Sequence, residues 1–291
     1  MLRTGLLSFL FFTIFIVGQV QGQGFNLGIR AGLAQSKFIG PVEAGVNESF
    51  GLTGGFHFGI NFQWNFTDVL GWKTEIMYNQ MGSKYDMSTD NGAYVFNDAS
   101  HGISNLVFRD ESVVKLNHSN AYVQFPQTIN VKISPKFEIF GGGYFAFLLS
   151  PVATGTISFG GDNLDTEHSF IQGLNFNYAS DPSFFNSSSP ILIRVNGDDV
   201  DLQTPLDSKE FWNNQIPESR FRSIDYGLIG GGSFYINRGL YLMGRVEYGL
   251  RDVTRDIADY SFADVNDDGS LIYRQDNDYN LSLQLSIGFK F

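Results

Sequence analysis

The chain contains no cysteine among its 291 residues. This absence excludes a disulfide-stapled scaffold, a thiolate metal site, a cysteine nucleophile and an acylated N-terminal cysteine. Basic residues are also scarce, because 19 Lys and Arg are set against 30 Asp and Glu, for a formal net charge of -11. Binding to a phosphate backbone needs clustered Lys and Arg, so the composition argues against a nucleic-acid partner.

Long apolar runs are missing except at the N-terminus. Residues 1–22 read MLRTGLLSFLFFTIFIVGQVQG, with Arg3 as the positive region, an apolar run from Leu6 to Val17, and the small residue Gly22. This order is typical of a secretory signal peptide, and the run is short for a spanning helix of about 20 residues. We predict a signal peptide over 1–22, cleaved before Gln23, and one exported domain over 23–291.

Phenylalanine and glycine are abundant, with 29 and 33 residues. Apolar and polar residues alternate with period two, as in Phe25, Leu27 and Ile29 against Asn26, Gly28 and Arg30. Side chains alternate across a strand, so each such segment has one apolar face and one polar or small face. The pattern predicts eight strands, over 24–38, 50–66, 69–86, 112–133, 136–156, 221–237, 239–254 and 278–291.

The connections between these segments alternate between tight turns and long stretches. The long ones cover 39–49, 87–111, 157–220 and 255–277. This predicts an all-β fold, an eight-stranded antiparallel up-and-down transmembrane β-barrel in contact with outer-membrane lipid, with periplasmic turns and termini and long external loops. A soluble sandwich or lipocalin-like barrel is the alternative, because alternation does not say which face points inward.

Three features favour the membrane barrel. The strands often exceed ten residues, which is long for a soluble protein. The chain closes on a terminal strand ending in Phe291. Aromatic residues near strand ends fit interfacial girdles, and these are Trp64, Trp72, Tyr78, Tyr241 and Tyr248.

The polar face then lines the lumen, which in an eight-stranded barrel is just wide enough for side chains. We expect its charges to pair as a plug, because a buried charge without a partner is costly. A conduction path or a catalytic lumen is the alternative. The predicted lumen charges are Arg30, Lys73, Glu75, Lys132, Glu138, Arg245, Glu247 and Arg251.

Several segments resemble the PorT-like outer-membrane β-barrel family of Gram-negative bacteria. They read GIRAGL at 28–33, AYVQFP at 121–126, FGGGYFAFLL at 140–149, DYGL at 225–228, GLY at 239–241, YGL at 248–250 and SIGFKF at 286–291. The resemblance implies an integral outer-membrane protein, and the named member of the family is linked to a secretion system. The connection 157–220 is longer than this family leads us to expect.

Acidic residues concentrate in two of the long connections. Residues 157–220 carry ten acids against three bases, and residues 255–277 carry six acids against two bases. Such loops favour divalent cations or a basic partner, although a solvated surface is the simpler interpretation.

One acidic segment resembles the start of a calcium loop of the D-x-[DN]-x-[DN]-G type. Asp264, Asn266 and Asp268 supply oxygens at alternate positions, and Gly269 permits the turn. Ser270 and Asp276 are the further candidate ligands, with Asp278 as a substitute for Asp276, because position 12 is Gln275 where the motif needs Glu. An Asx-rich turn without metal is the alternative.

The connection 157–220 is too long to be structureless by default. Residues 191–195 and 200–203 predict a hairpin around an Asn-Gly-Asp turn. We predict a small folded external element, the alternative being a disordered loop, with a partner-binding surface built from Phe184, Phe185, Phe211 and Trp212.

Two functions follow from these features. The first is a non-catalytic barrel whose external loops bind a partner, in a secretion, assembly or envelope complex, with calcium as the one cofactor indicated. The alternative is an outer-membrane hydrolase or acyltransferase with its active site in a loop or at the rim. Catalysis has little support, because His57, His101, His118 and His168 show no metal-binding spacing.

Overall fold

The computed structural model describes residues 24–98, 103–160, 170–177, 191–195, 198–202, 221–256, 259–267 and 270–291, and all regular elements in them are strands. No helix among these residues has the length and apolarity to cross a membrane. The strands are β1 Phe25–Ile39, β2 Asn47–Gly51, β3 Thr53–Asn65, β4 Leu70–Met81, β5 Lys84–Asp98, β6 Ile103–Ser134, β7 Phe137–Phe159, β8 Phe170–Asn177, β9 Ile191–Val195, β10 Asp198–Leu202, β11 Ile224–Tyr235, β12 Leu240–Gly249, β13 Tyr260–Val265, β14 Leu271–Tyr273 and β15 Tyr279–Lys290.

Eight of these strands form a closed antiparallel ring. The pairing order is β1, β3, β4, β6, β7, β11, β12 and β15, and β15 returns to β1. In the closing pair, Gly28 lies opposite Lys290 and Ile39 lies opposite Tyr279. The predicted eight-stranded antiparallel barrel is therefore confirmed.

The barrel is apolar outside and polar inside, the reverse of a soluble barrel. Leu33 is 72% exposed and Leu285 is 74% exposed, whereas Arg30 is 2% exposed. Every strand of the ring contributes exposed apolar side chains, among them Ile29, Phe58, Ile76, Ile129, Phe147, Leu228, Val246 and Ile287. The soluble alternative is excluded, because a barrel with this surface needs an apolar solvent around it.

The two ends of the barrel differ. At the turn end, short connections cover 66–69, 135–136 and 236–239, and β1 begins and β15 ends there. The Thr67 hydroxyl accepts hydrogen bonds from the amides of Val69 (3.2 Å) and Leu70 (2.9 Å), and Asn237 acts in the same way in its own turn. These side chains explain the tight turns. The points at which the long connections leave and rejoin the ring lie at the opposite end of the barrel, which we call the loop end.

Aromatic side chains form belts on the outer surface near both ends. At the turn end the Trp64 and Trp72 rings stack with centroids 5.0 Å apart. Near the loop end, Phe56 stacks on Tyr78 at 5.4 Å, and Tyr248 packs on its neighbour Tyr279. This position suits rings that are apolar on one side and polar at one edge.

Tyr241 does not belong to these belts, which corrects the prediction. It is 2% exposed and accepts a hydrogen bond from Asn61 Nδ2 at 3.3 Å inside the lumen. Residues separated by an even number of positions on a strand point to the same face. Tyr241 lies four and six residues from Arg245 and Glu247 on β12, so its side chain points into the lumen with theirs.

Beyond the ring the sheet continues at the loop end. β6 has 32 residues and β7 has 23, and their outer halves pair with β5 and β8, while β2 pairs with β5. The β13–β14 hairpin packs against β5. We call β2, β5, β8, β13, β14 and residues 103–119 and 148–159 of β6 and β7 the crown.

The crown corrects three sequence predictions. The segment 69–86 is two strands, because β4 ends at Met81 and β5 begins at Lys84, and most of 87–111 is paired as strand rather than loop. The segment 50–66 also divides, since β2 ends at Gly51 and β3 begins at Thr53.

Within 157–220, β9 pairs with β10 as an antiparallel hairpin at the place of the predicted one. The predicted signal peptide and the four aromatic residues Phe184, Phe185, Phe211 and Trp212 lie outside the described residues.

Glycines inside the lumen make room for aromatic rings on neighbouring strands. Gly231 lies opposite Phe140, and a Cβ added there would clash with the Gly244 carbonyl oxygen on β12 and would meet the Phe140 ring at 2.7 Å. Gly288 lies opposite Tyr241 in the same way. The neighbouring Gly230 faces outward with no atom within 4 Å of an added Cβ. Within the glycine run 230–232, Gly231 is therefore packed against its neighbours in the lumen, whereas Gly230 has free space around it on the outer face.

We predict that Gly231→Val lowers the free energy of unfolding by about 1–3 kcal/mol, the usual cost of overpacking a filled interior. The measurement is urea-induced unfolding of protein refolded in lipid vesicles. Gly230→Val is the matched control and stays within about 0.5 kcal/mol of the parent, as surface substitutions usually do. Equal effects of the two substitutions would contradict the assignment of the faces.

Candidate functional site

The centre of the lumen is an ion-paired group around Glu75 on β4. Arg30 on β1 donates to its carboxylate through Nε (3.1 Å) and Nη2 (2.7 Å), and Arg245 on β12 donates through Nη1 (2.8 Å). All three side chains are at most 3% exposed. A two-pronged contact between guanidinium and carboxylate is among the stronger ion pairs, so this group ties three strands together.

Arg245 carries the network across the barrel. It donates to the side-chain oxygens of Gln284 on β15 (3.2 Å) and Gln124 on β6 (3.3 Å), and it forms an ion pair with Glu247. Gln124 and Asn79 in turn donate to Glu247 Oε2, at 3.0 Å and 3.2 Å. Polar side chains from β4, β6, β12 and β15 thus meet in one connected network.

A second ion pair lies closer to the turn end. Lys73 Nζ is 3.3 Å from Glu138 Oε1, and Asn130 donates to the same oxygen at 2.6 Å. The Lys73 ammonium also lies 5.6 Å from the centre of the Phe140 ring, a cation–π contact. Every charge of this group has a partner inside the barrel.

The structure thus brings together six of the eight predicted lumen charges. The other two, Lys132 and Arg251, take part in none of the ion pairs between described residues. Lys132 lies opposite Glu138 in the register, but Glu138 is already bound by Lys73 and Asn130. Arg251 lies beyond Gly249, where β12 ends, and so is outside the barrel wall.

The paired lumen charges balance, with three cations (Arg30, Lys73, Arg245) and three anions (Glu75, Glu138, Glu247). One further buried acid, Asp225 on β11, accepts hydrogen bonds from Tyr144 Oη (2.9 Å) and Asn280 Nδ2 (2.8 Å) and forms none of the ion pairs between described residues. A lumen filled by its own side chains lacks the space that ions need to pass through a pore. The geometry supports a plug.

A serine–histidine pair lies inside this plug. His57 Nε2 is 2.7 Å from Ser286 Oγ, which is also 2.9 Å from Arg30 Nη1. The buried His57 Nδ1 has no hydrogen-bond partner among the described residues, so no acid orients the ring as a catalytic triad requires. His118 is buried against Phe38 and Phe221, and His101 and His168 lie outside the described residues.

Ion pairs hold the crown at the loop end. Arg274, which follows β14, contacts Glu48 at 3.2 Å, Asp276 at 3.3 Å and Glu43 at 3.7 Å. These contacts connect the segment before β15 to β2 and to the segment preceding it. Arg274 therefore joins the described parts of the connections 39–49 and 255–277, which are far apart in sequence.

The predicted calcium segment lies in the β13–β14 hairpin. Asp264 forms an ion pair with Arg109 at 2.6 Å, and Asp276 is bound by Arg274. Asn266 donates to the Ser270 hydroxyl at 2.9 Å across the turn, and Asp268 lies outside the described residues. Calcium binding by this segment remains a prediction.

A different acidic cluster lies between β12 and β13. Carboxylate oxygens of Asp252, Asp256 and Asp259 all lie within 4.8 Å of one another. Burial raises the pKa of Asp259 to about 7, and the negative charges of Asp252, Asp276 and Asp256 contribute to the rise. Burial raises the pKa of Asp278 as well, and the charges of Asp276, Asp259 and Asp252 add to it.

Sequence reasoning missed this cluster. Three aspartates within eight residues after β12 were its only signal, and their spacing matches no ligand motif.

A closed ring with an apolar belt, aromatic girdles and a self-paired polar lumen defines an integral β-barrel membrane protein. The family described as Outer membrane protein beta-barrel domain matches residues 18–255, and the chain belongs to this family. The protein is thus a bacterial outer-membrane β-barrel whose apolar face contacts lipid.

Among solved structures, the chain is similar to Ail, the attachment invasion locus protein of Yersinia pestis, with 10% identity, a TM-score of 0.35, and coverage of 91% of this chain and 98% of that one. OprG of Pseudomonas aeruginosa is 13% identical with a TM-score of 0.33, over 92% of this chain and 97% of that one. Neisserial surface protein A is 12% identical with a TM-score of 0.32, over 92% of this chain and 99% of that one. No curated protein matches the chain. These TM-scores are below 0.5, so no ligand or role is transferred from these proteins.

We predict that Glu75→Gln destabilises the barrel by about 3–5 kcal/mol, because it leaves Arg30 and Arg245 buried without their shared carboxylate. Urea-induced unfolding in lipid vesicles gives the value. The exposed Glu111→Gln serves as control and changes little. Adding Arg30→Met to Glu75→Gln recovers part of the loss, because one unpaired charge is removed. A Glu75→Gln barrel as stable as the parent would refute the role of Glu75.

We also predict that the purified protein forms no large, stable channel in a planar lipid bilayer. The reason is that the lumen is filled by its own side chains. Single-channel recording tests this, with an addition of detergent alone as baseline. Long-lived openings of uniform conductance would contradict the interpretation of the lumen as a plug.

Proposed function

We propose that this protein is a non-catalytic outer-membrane protein in which a plugged barrel displays the crown at the cell surface for a protein partner. The observation that carries the proposal is the crown itself. The crown is a sheet held by ion pairs and continuous with the barrel wall, whereas the lumen is filled by side chains. Because the lumen leaves no room for a ligand, the surface available to bind a partner lies at the loop end.

The proposed orientation places the turn end in the periplasm. Short turns and both ends of the ring at one side, with long connections at the other, are the usual arrangement of such barrels. Export by the predicted signal peptide 1–22 is part of this proposal. The crown and the segment 157–220 then face the outside.

Apolar side chains on the crown support a partner rather than a purely solvated rim. Ile171 on β8 is 57% exposed and Tyr273 on β14 is 54% exposed, and both lie beyond the ring. Tyr and other large apolar residues are enriched at binding surfaces. The aromatic residues of 157–220 would add to this surface.

The PorT-like resemblance narrows the proposal to a secretion, assembly or envelope complex. In that setting the barrel is an anchor and the crown makes the contacts. Enzymatic activity is not part of the proposal, because the Ser286–His57 pair is sealed in the lumen and lacks an orienting acid.

The test is photo-crosslinking in the native cell. A photoreactive amino acid replaces Ile171 or Tyr273 on the crown, and Arg238 in a turn serves as the control position. We expect the same heavy adduct from both crown positions and none from position 238. The identified partner should then form a complex of fixed stoichiometry with the purified protein.

Absence of any adduct at the crown, with adducts at position 238, would contradict both the orientation and the partner. As a control, the outer-membrane fraction should contain each variant as folded barrel. Folded barrel is recognised because it migrates differently on a gel before and after heating.

A further inference from the structure

The acidic cluster after β12 has the dimensions of a cation site. Two oxygens on opposite sides of a bound Ca²⁺ are about 4.8 Å apart, because each lies about 2.4 Å from the ion. The oxygens of Asp252, Asp256 and Asp259 fall within 4.8 Å of one another, so a single ion could touch all three.

Two buried carboxylate oxygens here lack partners among the described residues. Asp259 is 8% exposed and Asp278 is 7% exposed, and in this part of the chain Oδ2 of Asp259 and Oδ1 of Asp278 have no hydrogen-bond partner. Buried carboxylates are normally paired with cations or bound to a metal, because the charged group is costly to remove from water. Asp259 directs its carboxylate into the cluster, and Asp278 adjoins it, since its amide donates to Asp252 Oδ1 at 3.0 Å.

Two arginines pair with carboxylates of this region, but they leave Asp259 and Asp278 without an ion pair to either of them. Arg222 donates to Asp252 Oδ2 at 3.1 Å and to Asp256 Oδ1 at 2.9 Å, which holds these two carboxylates side by side. Arg274 contacts Asp276, but it is shared with Glu43 and Glu48. Neither arginine forms an ion pair with Asp259 or Asp278 in the described part of the chain.

We infer that Asp252, Asp256 and Asp259 form a binding site for a divalent cation at the loop end, with Asp278 as an adjoining carboxylate. Calcium fits best, because it accepts irregular sets of carboxylate oxygens, whereas magnesium demands near-ideal octahedral geometry and keeps its water. The bound ion would pin the start of the β12–β15 connection to the base of the crown. This site is separate from the predicted segment around Asp264.

The experiment is a CaCl₂ titration of the full-length folded protein in detergent after removal of metal with EDTA, followed by calorimetry. We expect saturable binding of about one Ca²⁺ per chain below roughly 1 mM, with Mg²⁺ weaker. Asp259→Asn should weaken Ca²⁺ binding by about tenfold or more, because it removes a charged ligand without changing shape. Asp256→Asn should also weaken it, and Asp68→Asn in a turn should not.

Thermal unfolding separates loss of the site from loss of the fold. In EDTA, Asp259→Asn should unfold at the same temperature as the parent or higher, because carboxylate repulsion is relieved. In excess Ca²⁺ the parent should become the more stable of the two. This reversal is specific to a carboxylate held in place for an ion.

Three results would overturn the inference. The first is no saturable Ca²⁺ binding by the parent. The second is Ca²⁺ binding that survives Asp259→Asn but disappears in Asp264→Asn with Asp268→Asn, which would assign calcium to the predicted segment. The third is a large drop in the unfolding temperature of Asp259→Asn in EDTA, which would give Asp259 a protein partner instead.

Discussion

The structure depends on the pairing of β1 with β15. A bilayer offers no hydrogen-bond partners to a strand, so every backbone amide and carbonyl in it must be paired within the chain. The register from Gly28 opposite Lys290 to Ile39 opposite Tyr279 closes the ring and removes both edges. Once the ring is closed, the outer face must be apolar because it contacts lipid, and the polar side chains can point only into the lumen. The alternation therefore has the opposite orientation to that of a soluble barrel.

Closure at eight strands also determines what the lumen can contain. The interior accommodates side chains and little else, so each charge that enters must find a partner there. Glu75 meets this condition by accepting from two arginines on different strands, while Lys73 and Glu138 pair on their own. Glycine at Gly231 and Gly288 provides the remaining space for Phe140 and Tyr241, so polar pairing and aromatic packing share one narrow interior.

The parts of this arrangement that depend on strand parity could be predicted from the sequence. The alternation of side chains along each strand predicts that Arg30, Glu75 and Arg245 point into the lumen. The same rule, applied to β12, also places Tyr241 in the lumen. Pairing between distant segments could not be predicted, because β5 is defined by its register with β6 and not by its own alternation. The cluster at Asp259 is of the same kind, since the fold of the β12–β13 connection brings its oxygens together and no motif spacing encodes it.

The location of the net charge follows from the same closure. A lipid-facing surface cannot carry charge, and the paired lumen charges here are balanced three against three. The excess of acids over bases in the whole chain must therefore lie mainly at the ends of the barrel, and the turn end has only short connections. The long connections at the loop end are left to carry it, as residues 255–277 do with six acids against two bases. The proposed binding of a cation or of a protein partner therefore belongs at the loop end, because that is where the barrel leaves its excess of acidic side chains.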